Sequence, residues 1–481
     1  MITPSAAITI VALLVIFIRA KSSERFFLAC LTVLISLSVN AFTATAFQIG
    51  GQEINCDDIV LAVCFMSALS LLVKGLLISK KQIIFVAILF GVIVLGFLSS
   101  VAFSGSIQII LPDQSWDDFY YGYAIPGYLA LSPRCMLVFV RVAIFCVLLL
   151  VAQAVLNESK ILEIAKAVLL FSTLHVLFSL FELVDKTVIQ SNIFVTISQT
   201  LFNPVFSHSV IRGDFVALWG ITREPSHFAY AMFFTALICV LLSVTRGLNH
   251  RELFTGVVAA ILMLVSGAFS GVVLAVGLLL FFAIAMARRS RLRRLGNAID
   301  ARFVLAAMGV ILLLIAVIPF AAGGESYYAS KFSNVINNIS DLVARRYSSI
   351  QGSPDAMPRM ISIVETTYLF LRFPLFGSGL GTVNPFSALV GIIATVGLFG
   401  LAAWLAIVAD YTKSLSGPKS VRLVILLFLA IGAINLDASL MYNPVWLLLC
   451  GLLRNPCLIN KRNVRMGDER RHGNGRRFVS L

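Results

Sequence analysis

Charged side chains are scarce in this sequence. Only 12% of the 481 residues are charged and Asp and Glu together number 23, whereas 59% are hydrophobic. The mean hydropathy is +0.97, and uncharged runs recur along the whole chain. A soluble domain is excluded, because runs of about 20 apolar residues match a hydrocarbon core about 30 Å thick. The sequence predicts an all-α, polytopic integral membrane protein with about 12–14 transmembrane helices and a large, partly helical outer loop.

Several motifs of soluble enzymes are also missing. There is no CxxC pair, so the eight scattered cysteines are predicted to be small packing residues rather than disulfides or metal ligands. Neither a nucleotide-binding fingerprint nor an HExxH motif occurs, and no DxD-like site lies on the predicted inner face. We therefore predict neither a metal nor a cofactor. An enzyme of this kind would not use a nucleotide sugar but an activated substrate already in the membrane.

Basic residues outnumber acidic ones, and the formal net charge is +14. They lie in short clusters between apolar runs, as the positive-inside rule describes, which argues against nucleic acid as a partner. Leu253–Ala287 holds 35 uncharged residues, about 52 Å as one helix and too long for one crossing. This run is therefore predicted to turn back near "SGAFSG", which places the basic clusters inside and the N-terminus outside.

The resulting map divides the chain into membrane-spanning and loop regions. Residues 1–184 form the first transmembrane helices with an outer loop at 104–134, 185–226 is a second outer loop, 227–321 is transmembrane, 322–386 is the large outer loop, 387–453 is transmembrane, and 454–481 is a basic cytoplasmic tail. Outer loops are expected to be poor in arginine, yet these contain Arg212, Arg223, Arg345, Arg346, Arg359 and Arg372. Guanidinium groups suit bidentate recognition of phosphate. The alternative is contact with lipid headgroups or nearby acids.

The stretch "TREPSHFAYAMFF" opens a membrane span after the second outer loop. Arg223 and His227 are four residues apart and can share a helix face. Pro225 suits the first helical turn, where Glu224 meets the positive end of the helix dipole. The stretch thus brings a guanidinium, a carboxylate and an imidazole to the predicted membrane boundary. The alternative is that Glu224 only caps the helix and pairs with Arg223.

The large outer loop contains a predicted helix from Arg359 to Phe373, which "PLFGSGLG" then breaks. The glycines of that string allow close backbone approach to a ligand. Charged residues also lie within predicted spans, where such groups usually face a cavity or a partner. Arg141 and Glu182 are predicted to pair with each other or to line a groove, and His175 shares a helix face with Glu182.

These features resemble the O-antigen polymerase family (Wzy-type repeat-unit polymerases), within the wider polymerase and ligase superfamily. The resemblance is carried by "REPSHFA", "VSGAFSGVVLAV", "PLFGSGLG" and "NPFSALVGIIATVGLFGL". It implies a metal-independent glycosyltransferase in the bacterial inner membrane that polymerises undecaprenyl-diphosphate-linked oligosaccharides on the outer face. The products would be O-antigen, capsule or exopolysaccharide. Membrane lipid and a separate chain-length regulator are the expected partners.

In this role, Arg223 and Arg359 are expected to bind the diphosphate, and Glu224 to act as the base or to position the acceptor. Further substrate-binding candidates are Arg212, His227, Arg345, Arg346, Arg372 and Asn384.

Two alternatives stay open. An O-antigen ligase is expected to carry a histidine in the last outer loop, but residues 322–386 contain none and offer Asn384 instead, which favours a polymerase. A lipid-linked oligosaccharide transporter is less favoured, because the sequence shows no repeated halves.

Overall fold

The computed structural model describes most of the chain and is mostly helical. The described residues are 3–42, 44–49, 52–109, 127–130, 133–191, 193–201, 218–222, 225–246, 250–266, 268, 271, 274–275, 277–278, 336–346, 357–382, 387–416 and 441–453. Within them, six helices are long and apolar enough to cross a membrane: Cys56–Val73, Lys80–Ala102, Cys135–Val155, Glu158–Ile189, Pro225–Leu242 and Ala388–Ser414. The chain is therefore a helical protein with the features of a multi-pass membrane protein.

The helices are numbered here in chain order. They are α1 Pro4–Arg19, α2 Ser23–Val39, α3 Cys56–Val73, α4 Lys80–Ala102, α5 Pro133–Val155, α6 Glu158–Val184, α7 Ile193–Leu201, α8 Pro225–Arg246, α9 His250–Val265, α10 Ile339–Val343, α11 Met357–Arg372, α12 Ala388–Ser416 and α13 Val445–Leu452. A π-helical turn, Asp185–Ile189, extends α6. Side-chain caps set several starts, as when Asn157 Oδ1 accepts the Lys160 N–H of α6 at 3.0 Å.

Within the described residues, two short antiparallel strand pairs modify the predicted all-α fold. Strand β1, Thr45–Ile49, pairs with β2, Gln52–Asn55, and β3, Gln108–Ile109, pairs with β4, Gly127–Tyr128. The apolar run 26–47 predicts one transmembrane helix, but α2 ends at Val39. The reason is local, because β-branched and aromatic residues before two consecutive glycines favour a tight hairpin over a helix.

The core is built from helix pairs with small and aromatic side chains between them. Helix α2 packs on α3, α4 on α12, and α8 on α9. Trp446 of α13 is fully buried, and the rings of Phe145, Trp404 and Tyr411 meet it edge-on with centroids 6.1–6.5 Å away. Aromatic pairs of this geometry stabilise a core beyond their buried area.

One end of the bundle, here called the lysine end, is tied by exposed polar pairs. Lys160 Nζ lies 2.5 Å from Glu24 Oε1, Lys74 bonds the Ser23 hydroxyl, and Lys81 pairs with Asp410. These contacts gather at one end the basic residues that the sequence assigns to the inside. That this end faces the cytoplasm stays a prediction.

Helix α12 is interrupted in its middle. Gly397 has φ +67° and ψ −174°, and helix lies on both sides of it. The "PLFGSGLG" segment pairs with this break, where Ser378 N–H donates to Ala394 O at 2.8 Å and Leu398 N–H donates to Pro374 O at 2.9 Å. A Cβ on Gly397 would lie 2.2 Å from Leu375 O. Irregular backbone is tolerated at membrane depth when protein satisfies its polar groups, as it does here.

Candidate functional site

The chain that leads into "TREPSH" is held by a buried carboxylate. Glu182, near the end of α6, is 0% exposed. Both of its oxygens accept the Trp219 N–H at 3.0 Å, and Oε2 also accepts the Gly220 N–H at 2.7 Å. Lys186 Nζ, one helical turn further along, lies 2.6 Å from Oε1. Burial of a carboxylate is costly unless it is paired and hydrogen-bonded, and here Lys186 pairs with it while the Trp219 and Gly220 amides donate to it.

A histidine on the same face of α6 holds the next amide. His175 Nε2 accepts the Ile221 N–H at 3.3 Å, and Nδ1 lies 3.1 Å from Asn40 Oδ1. Because Nε2 is an acceptor, the proton is assigned to Nδ1, which then donates to the asparagine. Asn40 donates in turn to Ser172 Oγ at 3.1 Å. We call Asn40, His175, Glu182 and Lys186 the amide clamp.

Glycine at position 220 is what lets the chain approach α6. Gly220 has φ +55°, and a Cβ there would lie 2.3 Å from His175 Nε2. The segment also meets the "SGAFSG" turn, because Leu218 N–H donates to Ser266 O at 3.4 Å. Helix α9 ends at Val265, as the predicted turn requires. The segment that precedes "REPSHFA" is thus in contact with the string "VSGAFSGVVLAV".

The clamp and helix α8 bracket the two central motif residues. Thr222 is fixed by its hydroxyl, which donates to Trp219 O at 2.8 Å, and α8 begins at Pro225 as predicted. Arg223 and Glu224 lie outside the described residues, but only these two residues separate the two anchors. His227 is half-buried in the first turn of α8.

The predicted pairing of Arg141 with Glu182 is wrong, because each has a different partner. Arg141 binds Asp58 in bidentate geometry, with Nε to Oδ1 at 2.7 Å and Nη2 to Oδ2 at 2.6 Å. Asp58 also accepts the Asn55 N–H at 3.0 Å. Such charge-assisted pairs are strong and directional. Arg141 therefore ties α5 to the start of α3.

Two predicted arginines contact one tyrosine of α11. Arg345, with φ +56°, forms a bidentate pair with the buried Glu365 at 2.7 and 2.8 Å. Its Nη2 also donates to Gln108 O at 3.1 Å. Its guanidinium lies 3.9 Å from the centre of the Tyr368 ring, and that of Arg372 lies 5.3 Å from the same ring. Arg345 thereby joins α11 to strand β3, and both cations have an aromatic neighbour.

Arg359 and Arg372 stand at opposite ends of α11. Thirteen residues separate them, which is about 20 Å along a helix. Ser362 and Thr366 of the same helix are buried.

The remaining predicted residues are placed as follows. Arg346 Nη2 lies 2.7 Å from Asp341 Oδ1 in an exposed pair. Arg212 and Asn384 lie outside the described residues. The glycines of "PLFGSGLG", predicted to allow approach to a ligand, approach protein backbone: a Cβ on Gly377 would lie 2.2 Å from Thr395 C. Within the described residues, no group of three or more His, Cys, Asp and Glu side chains could hold a metal ion.

Two members of the clamp were not predicted from the sequence. Lys186 follows Glu182 by four residues, the spacing of a helical ion pair, so it carried a usable signal. Asn40 carried none, because it lies 135 positions from His175. Comparisons with protein-family models, with curated proteins and with solved structures find no match to this chain.

Proposed function

We propose that the protein polymerises polyprenyl-diphosphate-linked oligosaccharide repeat units, at the outer face of a bacterial inner membrane. One observation carries the proposal. In the amide clamp, a buried carboxylate, a lysine and a histidine fix the backbone that leads into Arg223 and Glu224. Buried polar groups of this kind specify one geometry at a cost in desolvation. A motif that only capped a helix would not require it.

The proposed reaction transfers the growing chain to a new repeat unit. A sugar hydroxyl of the acceptor attacks the anomeric carbon of the donor, and the carbon–oxygen bond to the diphosphate breaks. The hydroxyl proton passes to Glu224, and the electron pair leaves with the polyprenyl diphosphate. Arg223 and Arg359 stabilise the charge on this leaving group, and a carboxylate within reach of the hydroxyl serves as general base.

The contacts and spacing of the other arginines suggest different roles for them. Arg345 and Arg346 are engaged by Glu365 and Asp341, so we assign them to shaping the loop rather than to gripping substrate. Because about 20 Å of helix separates the backbones of Arg359 and Arg372, we propose that they serve different phosphates. The reaction involves two lipid diphosphates, a donor and an acceptor, and we assign Arg372 to the second.

The test is the size distribution of the surface polysaccharide and of the lipid-linked intermediates in a deletion strain. We expect single repeat units to reach the final acceptor while the ladder of longer chains disappears. Long lipid-linked chains on the outer face would identify a ligase instead. Single lipid-linked units trapped on the inner face would identify a transporter, and the assigned roles of Arg223 and Glu224 would then be wrong.

A further inference from the structure

The exposed face of helix α4 marks the depth of the hydrocarbon core in a surrounding membrane. Ile84, Ile88, Leu95 and Leu98 are each about half exposed, and their spacing of three, four or seven residues puts them on one helix face. The 23 residues of α4 span about 34 Å, close to the thickness of a hydrocarbon core. Because Lys81 belongs to the lysine end, the last residues of α4 lie at the opposite membrane boundary.

The end of helix α11 stands at this same boundary. Phe103, directly after α4, meets Phe373 edge-on with ring centroids 5.2 Å apart. The chain then turns back along α4, because Phe376 O lies 2.6 Å from where a Cβ on Gly96 would be. Arg372 directly precedes Phe373 and is exposed. Arg372 therefore lies at the level where lipid headgroups meet hydrocarbon chains.

Two guanidinium groups share the Tyr368 ring, but only one of them has an acidic partner. Arg345 lies 3.9 Å from the ring centre and is paired with the buried Glu365. Arg372 lies 5.3 Å from the same ring centre, and within the described residues it forms no ion pair. A guanidinium carries five N–H donors and suits bidentate binding of phosphate. Arg345 thus fixes the ring, and Arg372 offers its donors to an anion.

Exposed apolar side chains lie beside this cation. Leu371 is 71% exposed and Leu375 is 50% exposed, one on each side of Arg372 in the sequence. Val101 and Phe103 at the end of α4 are exposed as well. A free phosphate would use the guanidinium alone and leave these groups uncovered. A phosphate that is carried on a hydrocarbon chain matches both the cation and its apolar surroundings.

We propose that Arg372, beside the Tyr368 ring, binds the phosphate of a membrane lipid whose chain lies against Leu375 and the exposed face of α4. The lipid belongs to the leaflet opposite the lysine end. A lipid diphosphate and an anionic phospholipid both carry the required group, and the inference rests on the proposed function only for the choice between them. Tyrosine and arginine at this depth are the side chains expected to meet lipid headgroups.

The test is photo-crosslinking from Leu375, beside the proposed site, against Ile88, which faces lipid about 21 Å from the end of α4. The full-length protein carries p-benzoylphenylalanine at one of these positions. It is reconstituted in vesicles with equal amounts of phosphatidylglycerol and a phosphate-free glycosyl diacylglycerol of the same acyl chains, and the adduct masses are measured. We expect phosphatidylglycerol adducts to exceed glycolipid adducts about fivefold at Leu375 and to equal them at Ile88.

A pair of substitutions assigns the excess to one side chain. Arg372→Gln should bring the two adducts at Leu375 to equal amounts. Arg346→Gln removes an exposed arginine that is already paired with Asp341, so it should leave the excess unchanged. Equal adducts at Leu375 in the parent protein, or an excess that survives Arg372→Gln, would overturn the proposal. An equal excess at Ile88 would do the same, because it would reflect the whole protein surface.

A minor fraction of a polyprenyl diphosphate in the same vesicles separates the two sources of phosphate. Its adducts should replace those of phosphatidylglycerol at Leu375 if Arg372 binds a lipid diphosphate, which is the result that we expect. Unchanged phosphatidylglycerol adducts would keep the lipid-phosphate site and overturn the assignment of Arg372 to the second diphosphate. The polymerase assignment fails separately, on a polysaccharide ladder that survives deletion of the gene.

Discussion

The two ends of the helix bundle use charge differently. At the lysine end the partners are accessible to water, with Lys81 57% exposed and Glu24 48% exposed. At the clamp end, Glu182 and His175 are buried, and each accepts from backbone amides as well as contacting one polar side chain, Lys186 or Asn40. Exposed pairs contribute about 0–1 kcal/mol each, whereas an unsatisfied buried polar group costs about 1–3 kcal/mol. The pairs at the lysine end join neighbouring helices, and the clamp end fixes one stretch of backbone.

In a chain with so few charges, buried polar groups indicate a functional region more directly than exposed lysines do. A surface lysine carries little desolvation cost, and it indicates only on which side of the membrane it is expected to lie. A buried carboxylate and a buried imidazole hold three consecutive amides, those of residues 219–221, at a cost in desolvation. These amides lie just before the two residues that are proposed to perform the chemistry. The following substitutions test this contrast in order of expected effect.

The largest loss of stability is expected for Glu182→Ala. It leaves the Trp219 and Gly220 amides and the Lys186 ammonium without their acceptor, which typically costs about 3–5 kcal/mol for a buried pair. The thermal unfolding midpoint of the purified protein in detergent should fall strongly. Lys160→Ala at the lysine end is the matched control, and equal shifts for the two variants would erase the proposed difference between the ends.

Gly220→Ala comes next. The residue has φ +55° and its new Cβ would lie 2.3 Å from His175 Nε2, so strain and displacement together should cost about 3 kcal/mol. Polymer length in a complemented strain should drop as well, because the motif is displaced. Gly91→Ala has nothing within 4 Å of its Cβ, and it should be neutral or slightly stabilising. A tolerated Gly220→Ala would show that the clamp is not tight.

Arg345→Ala is expected to cost about 2 kcal/mol, because it removes a bidentate charged donor from the buried Glu365. Arg346→Ala removes an exposed pair with Asp341 and should cost less than about 1 kcal/mol. Both are measured as shifts in the thermal midpoint. If Arg345→Ala lowers the activity by more than its loss of stability explains, Arg345 contacts the substrate. That result would contradict the shaping role assigned here.

The smallest effect is expected from Lys160→Ala. Its pair with Glu24 is exposed to water, so the free energy of unfolding should change by about 0–1 kcal/mol. Raising the salt concentration should remove most of that contribution, since exposed charges are screened. A change above about 2 kcal/mol would mean that the lysine end carries more of the stability than its exposure implies.

Local patterns in the sequence predicted local features well. The proline of "TREPSH" predicted the start of α8 at Pro225, and the apolar pattern after Arg359 predicted α11, which spans Met357–Arg372. The uncharged run 253–287 predicted a turn where α9 ends, at Val265. Each of these signals lies within a few residues of the feature that it predicts.

Features that depend on distant partners were missed. The sequence predicts that Arg141 pairs with Glu182 or lines a groove with it, but the partner of Arg141 is Asp58, 83 positions away. The Gly397 break in α12 requires the backbone of "PLFGSGLG", and the glycines of that string read as a ligand loop until the opposing backbone is known. The β1–β2 hairpin did leave a local signal, two glycines between β-forming residues, which the surrounding apolar run obscured.

The most direct test of the account is a double-mutant cycle between Glu182→Gln and Glu224→Gln. The rate of chain extension would be measured with purified, folded protein in vesicles, below the unfolding midpoint of every variant. Glu224→Gln should lower the rate about 10²–10⁴-fold as loss of a general base. If the clamp acts by positioning Glu224, adding Glu182→Gln should lower that residual rate little further. Independent effects, with the two losses multiplying, would contradict the claim that the clamp serves the motif.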